Sequence, residues 1–509
     1  MNTDKPGSLP GSIVTLLITV AVGMAAGHVL TIERVYEPLF SRAPDEESSP
    51  YPAWPAKRPL PTPLLRSNDR SRWCTIRALV DTGTYVIGKR EHLTDSSEGY
   101  RDSGIVFEDG WTSVDKVLRP DTQEFYSSKP PFLPTLMAGE YWLLKHGFGW
   151  SLGGEAPSRW WVVRVILLTV NVVPLAIYLV LLDRLCISFG ASDWGRLFVL
   201  FAACFGTIVT SFVGALNNHT IATCSIVFAL APAWRVLFGP ANQDHLWRYA
   251  VAGFFAAFAA CSDLPAASFA VGLLLLMAVH SPGKTLTWFV PAAAVPVIFF
   301  FACNYQALGQ LRPAYSELGG EWYVYPGSNF NPFADLEKRR GVDWAREQES
   351  RPVYVLNSLV GHHGIFSLTP VWFLAAAGML TGTFGRGQKA PAFLGIPPER
   401  TLWQRWGSQR TLALLTLLVS IVVVGFYLTL APRNYGGWTL GPRWLMWLTP
   451  LWLLVMLPIA DKMACCWRGR AIGSVLMGLS VLSAVVPDGN PWHHPWIYVA
   501  WEQMFGPLY

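Results

Sequence analysis

Asn68-Asp69-Arg70-Ser71-Arg72-Trp73 and, further on, Tyr126-Ser127-Ser128-Lys129-Pro130-Pro131-Phe132-Leu133 are the key pieces of a polar stretch, 68–142, in an otherwise apolar sequence. Each leads into an amphipathic pattern. Trp73, Ile76, Leu79 and Val80 fall on one side of the first, and Leu136, Tyr141 and Leu144 continue the second. Spacing of this kind predicts two short helices, one headed by an aspartate and the other by a lysine, lying on a membrane surface.

The membrane is implied by what surrounds them. Of 509 residues, 52% are hydrophobic and 14% charged, against about a quarter charged in a soluble domain. A large soluble enzyme is excluded on that balance, and a net charge of +5, spread thinly, gives no sign of nucleic acid. The 24 Trp suit interfacial belts or stacking faces for a sugar or prenyl chain. Eight Cys show neither a disulfide framework nor zinc spacing.

Upstream, 12–32 is apolar and long enough to cross about 30 Å of hydrocarbon as a helix. It is long for the apolar part of a signal peptide, and no clear small-x-small site follows. The 33–65 segment holds eight prolines, from Pro38 to Pro63, and is expected to be an extended surface strap. Alternation at Gly104-Ile105-Val106-Phe107 before the turn Glu108-Asp109-Gly110-Trp111 suggests a small hairpin.

Downstream, apolar runs recur at 161–182, 195–213, 219–238, 249–262, 264–280, 285–303, 365–382, 411–430, 444–461 and 471–487. The expected fold is all-α and polytopic, with about eleven transmembrane helices and a large first outer loop carrying juxtamembrane helices. Lys and Arg concentrate in alternate short loops (Arg184, Arg196; Arg235, Arg248; Lys284; Arg386, Lys389, Arg400, Arg405, Arg410; Lys462, Arg468, Arg470). That asymmetry puts the N-terminus inside and the C-terminus outside. The chain then divides into 1–32 with the first helix, a first outer loop 33–160, helices two to seven over 161–303, a second large outer loop 304–364, helices eight to eleven over 365–487, and an outer tail 488–509. Every polar segment large enough to hold a site falls on one face.

Two readings stand beside each candidate residue. Asp69 is a helix N-cap accepting backbone N–H bonds, or a base. Lys129 is a snorkelling interfacial lysine, or a phosphate ligand. His362 and His363 either pack at a helix end or stand near a phosphate or acceptor, and no third metal ligand is visible at useful spacing. Asn217, Asn218 and His219 read as caps at a tight turn. Asp263, at a helix break, faces the outer surface or the bundle interior, because an acid facing lipid is costly. The loop with Glu321, Trp322, Tyr323 and Tyr325 either stacks on an acceptor or packs over helix ends. No Gly-rich phosphate loop and no inner-loop Asp-x-Asp is present.

Taken together, Asp69-Arg70-Ser71-Arg72-Trp73, the Gly83-Thr84-Tyr85 turn and Lys129-Pro130-Pro131-Phe132-Leu133 resemble the first outer loop of the GT-C glycosyltransferases. The pattern is similar to the bacterial aminoarabinose transferases and protein O-mannosyltransferases of the family 39-like group, which carry Asp-Glu-x-Arg-Tyr and Lys-Pro-Pro-Leu segments. Asp69 matches the Asp, Arg72 the Arg and Trp73 the Tyr. Arg70 stands where Glu is usual, and the 87–125 insertion lengthens the spacing to Lys129. The segments Gly361-His362-His363-Gly364 and Asn434-Tyr435-Gly436-Gly437-Trp438, running on to Gly441-Pro442-Arg443, also look like loops of this group.

The resemblance implies an integral membrane enzyme of a bacterial cell envelope, acting on the extracytoplasmic face. It would move a sugar from a polyprenyl-phosphate donor to a lipid, glycan or protein acceptor, with inversion. Asp69 would be the base; Lys129, Arg443 and Arg72 would hold the donor phosphate. Trp73, His362, His363, Glu321, Trp322 and Tyr435 would contact donor or acceptor. A phosphate leaves readily, so one base suffices, unlike the carboxylate pair of glycoside hydrolysis. No cofactor is called for, and a divalent metal stays open. A transporter or flippase for lipid-linked sugars would carry ionisable groups at mid-membrane, whereas these helices are nearly charge-free. A noncatalytic assembly protein also stays open, because of Arg70.

Overall fold

Each apolar run folds as helix because a backbone in lipid has to satisfy its own N–H and C=O groups. The computed structural model describes residues 11–33, 62–93, 99–154, 157–190, 192–333, 342, 345–385, 407–486 and 490–506. The proline-rich strap over 34–61 and the basic residues Arg386, Lys389, Arg400 and Arg405 lie outside the described residues. The main helices begin with α1 (Gly11–Leu30), α2 (Ser67–Asp81), α3 (Phe132–Phe148), α4 (Ser158–Phe189), α5 (Asp193–Phe205), α6 (Asn218–Phe238) and α7 (Leu246–Ser262). They continue with α8 (Ala267–His280), α9 (Pro282–Leu308), α10 (Arg351–Leu359), α11 (Trp372–Phe384), α12 (Ser408–Thr429), α13 (Thr449–Ala464), α14 (Trp467–Val485) and α15 (Trp496–Phe505).

Among the described residues, 7 helices are long and apolar enough to cross a membrane: Gly11–Leu30, Ser158–Phe189, Asp193–Phe212, Asn218–Phe238, Pro282–Leu308, Ser408–Thr429 and Arg443–Ala464. Leu246–Ser262, Leu264–His280 and Trp372–Phe384 are apolar but shorter. The chain is therefore a multi-pass integral membrane protein. Side chains such as Leu16, Ile298 and Ile421 stand exposed on these long helices, as a lipid-facing surface requires.

Proline shapes several of these helices. The π-helical segments Leu168–Val172 in α4 and Thr285–Phe289 in α9 each end two residues before a proline, Pro174 and Pro291. The missing proline N–H leaves a carbonyl one turn back without its partner, and the widened turn absorbs the mismatch. The expected 365–382 helix is interrupted instead: Ile365–Leu368 ends at Thr369, whose φ of −134° and ψ of 74° precede Pro370. Buried Asn171, inside the first π segment, donates from Nδ2 to the carbonyls of Val213 and Ala215, at 2.8 and 3.1 Å.

The first loop contains a four-stranded antiparallel sheet in the order β2-β1-β4-β3, with β1 Gly88–His92, β2 Tyr100–Ser103, β3 Lys116–Arg119 and β4 Glu124–Ser127. Arg90 faces Asp102 across β1 and β2 and holds its carboxylate at 2.7 and 2.8 Å. The hairpin expected at 104–111 is absent. Gly104, with φ of 105°, turns the chain out of extended geometry, and Ile105–Phe107 forms a 3-10 turn that buries Val106. The expected turn is there, with Trp111 N–H bonded to the Glu108 carbonyl at 3.0 Å. The second large loop packs on this sheet: Tyr325 donates to the Lys116 carbonyl at 3.1 Å and Arg90 to the Pro326 carbonyl at 3.0 Å.

Backbones meet most closely at glycine. A Cβ at Gly378 of α11 would sit 1.9 Å from the Val455 carbonyl oxygen of α13, so α11 and α13 can approach only without it. Gly378→Ala is expected to destabilise by about 1–3 kcal/mol, the usual cost of overpacking. The check is the melting midpoint of the detergent-solubilised protein, which Gly23→Ala should leave unchanged, since a Cβ there meets nothing within 4 Å.

Candidate functional site

Asp69 lies in the first turn of α2, at the third helical position, with Arg66 at the N-cap. Its carboxylate accepts the backbone N–H of Arg66 at 2.7 Å and of Leu65 at 3.1 Å. The capping chemistry expected of Asp69 is thus present, from the third position rather than the cap. Asp69 is only 1% exposed. Burial pushes its carboxyl up to about 6, against the opposing pull of those N–H groups and of Arg70. Arg70 points back along the chain and donates to the carbonyls of Leu64 and Leu65 at 3.0 and 3.3 Å.

Arg72 reaches the other way. It donates to the Asn68 carbonyl at 2.7 Å and to Asn218 Oδ1 at 2.6 Å, tying α2 to the head of α6. Burial, with nearby Arg443 adding, lowers its guanidinium to about 10, against the opposing pull of Asp115, Asp69 and Asp263. A cation that is costly to keep charged in the free protein gains most from an added anion.

Lys129 forms an ion pair with Asp115, Nζ to Oδ1 at 2.6 Å. Asp115 also accepts from Ser67 Oγ at 2.9 Å, while its backbone carbonyl accepts from Ser71 Oγ and from the Ser128 N–H. Ser71 and Ser127 share a further bond at 2.6 Å. Burial works to raise the Asp115 carboxyl, but Lys129 and Ser67 outweigh it and hold it below the ordinary carboxylate range, with Arg443 assisting. Burial lowers the Lys129 ammonium despite Asp115, and the charges of Arg72 and Arg443 add to the lowering.

Arg443 opens the 3-10 turn Arg443–Leu448 ahead of α13 and lies over the Trp492 ring, 5.0 Å from its centroid. Across from it, His219 Nδ1 meets Asp263 Oδ2 at 2.6 Å, and Asn218 donates to the Ser262 carbonyl at 2.9 Å. Only Asn217 caps α6, accepting the Thr220 N–H at 2.9 Å; Asn218 and His219 do other work. Asp263, whose expected position at the break between α7 and α8 holds, is turned inward and 5% exposed.

The remaining candidates divide between packing and a second cluster. Trp73 is fully buried in the main core. Glu321 and Trp322 occupy a 3-10 turn, with Trp322 against Tyr126 at 6.1 Å between centroids. His362 and His363 bond to each other through their Nδ1 atoms, and His363 stacks on Tyr435 at 4.6 Å. Tyr435 donates to Glu349 Oε2 at 2.6 Å. Burial, with His362 and His494 adding, pushes His363 well below the ordinary histidine range, so it is neutral near pH 7. Among the described residues no three His, Cys, Asp or Glu side chains gather as metal ligands.

Asp69, Arg72, Lys129 and Arg443 are thus assembled at one end of the bundle. Asp115, absent from the sequence reading, is the partner that fixes Lys129. Its only cue was its place at the head of a strand inside the 87–125 insertion. Pairing of His219 with Asp263 had no local signal, since the two sit on different helices.

No known family profile and no curated protein matches this chain. Its structure is similar to that of the archaeal oligosaccharyltransferase AglB from Archaeoglobus fulgidus in complex with an inhibitory peptide and a dolichol-phosphate, at 13% identity and a TM-score of 0.39, covering 97% of this chain and 58% of that one. An Archaeoglobus fulgidus oligosaccharyltransferase in complex with Zn and sulfate gives 11% identity and a TM-score of 0.41, covering 96% and 57%. The chain spans somewhat more than half the length of these transferases. Likeness of this degree carries neither fold nor activity across.

Proposed function

We propose that this chain is a membrane glycosyltransferase of GT-C architecture that uses a polyprenyl-phosphate sugar on the extracytoplasmic face. The observation that carries the reading is the convergence of three cations, Arg72, Lys129 and Arg443, whose charges act on one another beside the buried carboxylates of Asp69 and Asp115. Asp115 is already paired with Lys129, and a further anion would add to the neutralisation of this partly dehydrated group. A lipid phosphate arriving from the bilayer supplies one.

In the proposed reaction the acceptor oxygen attacks the anomeric carbon from the face opposite the phosphate. The new C–O bond forms as the bond to phosphate breaks, and its electron pair leaves with the polyprenyl phosphate, inverting the centre. Asp69 takes the acceptor proton. Arg72 meets the phosphate through a planar fork, while Lys129 and Arg443 neutralise the charge that grows on it. Asp115 positions Lys129.

The test is transfer of labelled sugar from a panel of short-chain polyprenyl-phosphate sugars by the purified protein in nanodiscs, with lipid, glycan and peptide acceptors. Label on an acceptor is the expected result. Donor binding without transfer across the whole panel would overturn the enzyme reading.

A further inference from the structure

At the end of the bundle opposite Asp69 lies a cavity of about 530 Å³ between α4, α6 and α7. Its distance from the candidate site follows from α6 itself: His219 stands at its head and Arg235 near its foot, about 24 Å away along the axis. The walls are largely apolar, with Leu181, Phe228, Val251 and Phe255 among them. Ile177 and Trp247 line it too and are exposed on the outer face of the bundle, 47% and 54%. The cavity therefore opens sideways, towards lipid.

Three arginines, Arg184, Arg235 and Arg248, line the same cavity, one from each of the three helices, and among the described residues no acidic side chain does. Among the described residues none of the three forms an ion pair. The acids nearby are committed elsewhere, Asp183 to Arg196 at 2.7 Å and Asp244 to Lys284 at 2.5 Å. Arg248 is 5% exposed and donates to Gln243, yet its buried Nε has no hydrogen-bond partner. An arginine that only served to anchor the bundle would stay hydrated by snorkelling; this one is enclosed with a donor left over. Arg386, Lys389, Arg400 and Arg405, in the segment before α12, share the sign of these arginines, so that segment is a poor occupant.

We propose that this cavity is a binding site for an anionic phospholipid of the adjoining leaflet, its phosphate held by Arg184, Arg235 and Arg248 and the start of its acyl chains lying along the apolar wall. Charge complementarity selects the headgroup. The sideways opening and apolar lining select a bilayer lipid over a soluble phosphate compound. The site is independent of the transfer chemistry at the other end.

The test is titration of the delipidated, detergent-solubilised full chain with phosphatidylglycerol and with phosphatidylcholine, read by native mass spectrometry and by melting midpoint. One tightly held phosphatidylglycerol is expected, preferred over phosphatidylcholine by about tenfold or more. The preference should fall to parity in Arg184→Ala/Arg235→Ala. Val251→Trp, which fills the apolar part and leaves the arginines in place, should weaken both lipids, so a poorly folding arginine variant leaves the proposal open to test. Equal binding of the two lipids by the wild type, or binding unchanged in both variants, would overturn it. Preferential capture of a polyprenyl phosphate over phosphatidylglycerol would overturn the phospholipid assignment.

Discussion

Asp69→Asn is expected to lower sugar transfer about 10²- to 10⁴-fold, the range that a positioned base contributes, while donor binding survives. The new amide keeps one acceptor for the Arg66 N–H and turns its NH₂ towards the Leu65 N–H, so some stability is lost through that contact. The ionisation of Asp69 separates the two effects. Its carboxyl sits at about 6 in the folded protein against 3.8 ordinarily. Between those values the folded state holds a proton that the unfolded chain has released, so stability falls as pH rises from about 4 to about 6. The loss is on the order of 3 kcal/mol and is complete above that window. Wild-type transfer should instead rise with pH through about 6 and level off, because only the carboxylate accepts a proton. Asp69→Asn removes the stability slope and the rate together. Full transfer by a folded Asp69→Asn protein would end the base assignment.

What the sequence disclosed follows from periodicity. Apolar runs are long, and lipid allows the backbone few choices, so helices form where the runs lie, including the shorter pair flanking Asp263; 7 of the eleven expected spans are long and apolar enough to cross among the described residues. Signals that act over one or two residues were harder to place. Pro370 splits a run that composition alone leaves whole, and Gly104 converts an alternating stretch into a 3-10 turn. The cation group was legible as motifs, because Arg72 and Lys129 sit in recognisable local patterns. Their partners were not. Asp115 meets Lys129 only because β3 and β4 pair antiparallel, with Lys116 opposite Ser127, and His219 meets Asp263 only because α6 and α7 run antiparallel. Contacts between distant segments leave no spacing to read.

The Lys129–Asp115 pair gives the sharpest separation between holding the fold and doing chemistry. Lys129→Met alone strands a carboxylate whose side chain is 11% exposed, at a cost of about 3–5 kcal/mol for breaking a buried pair from one side. Asp115 should then titrate upward, having lost the ammonium that holds it down. Asp115→Asn/Lys129→Met removes both charges, and the amide that replaces the carboxylate can still accept from Ser67. The melting midpoint should therefore return most of the way to wild type, a coupling that a double-mutant cycle measures directly. Transfer should not return with it. If the ammonium neutralises phosphate in the transition state, its absence costs about 10²–10³ in rate whatever the state of the fold. Lys129→Arg supplies charge but not the same reach into the Asp115 pocket, so its rate is expected to lie between the two. Recovery of transfer in step with stability in the double variant would show that Lys129 serves only to neutralise Asp115, and the phosphate would then have to be held by Arg72 and Arg443 alone.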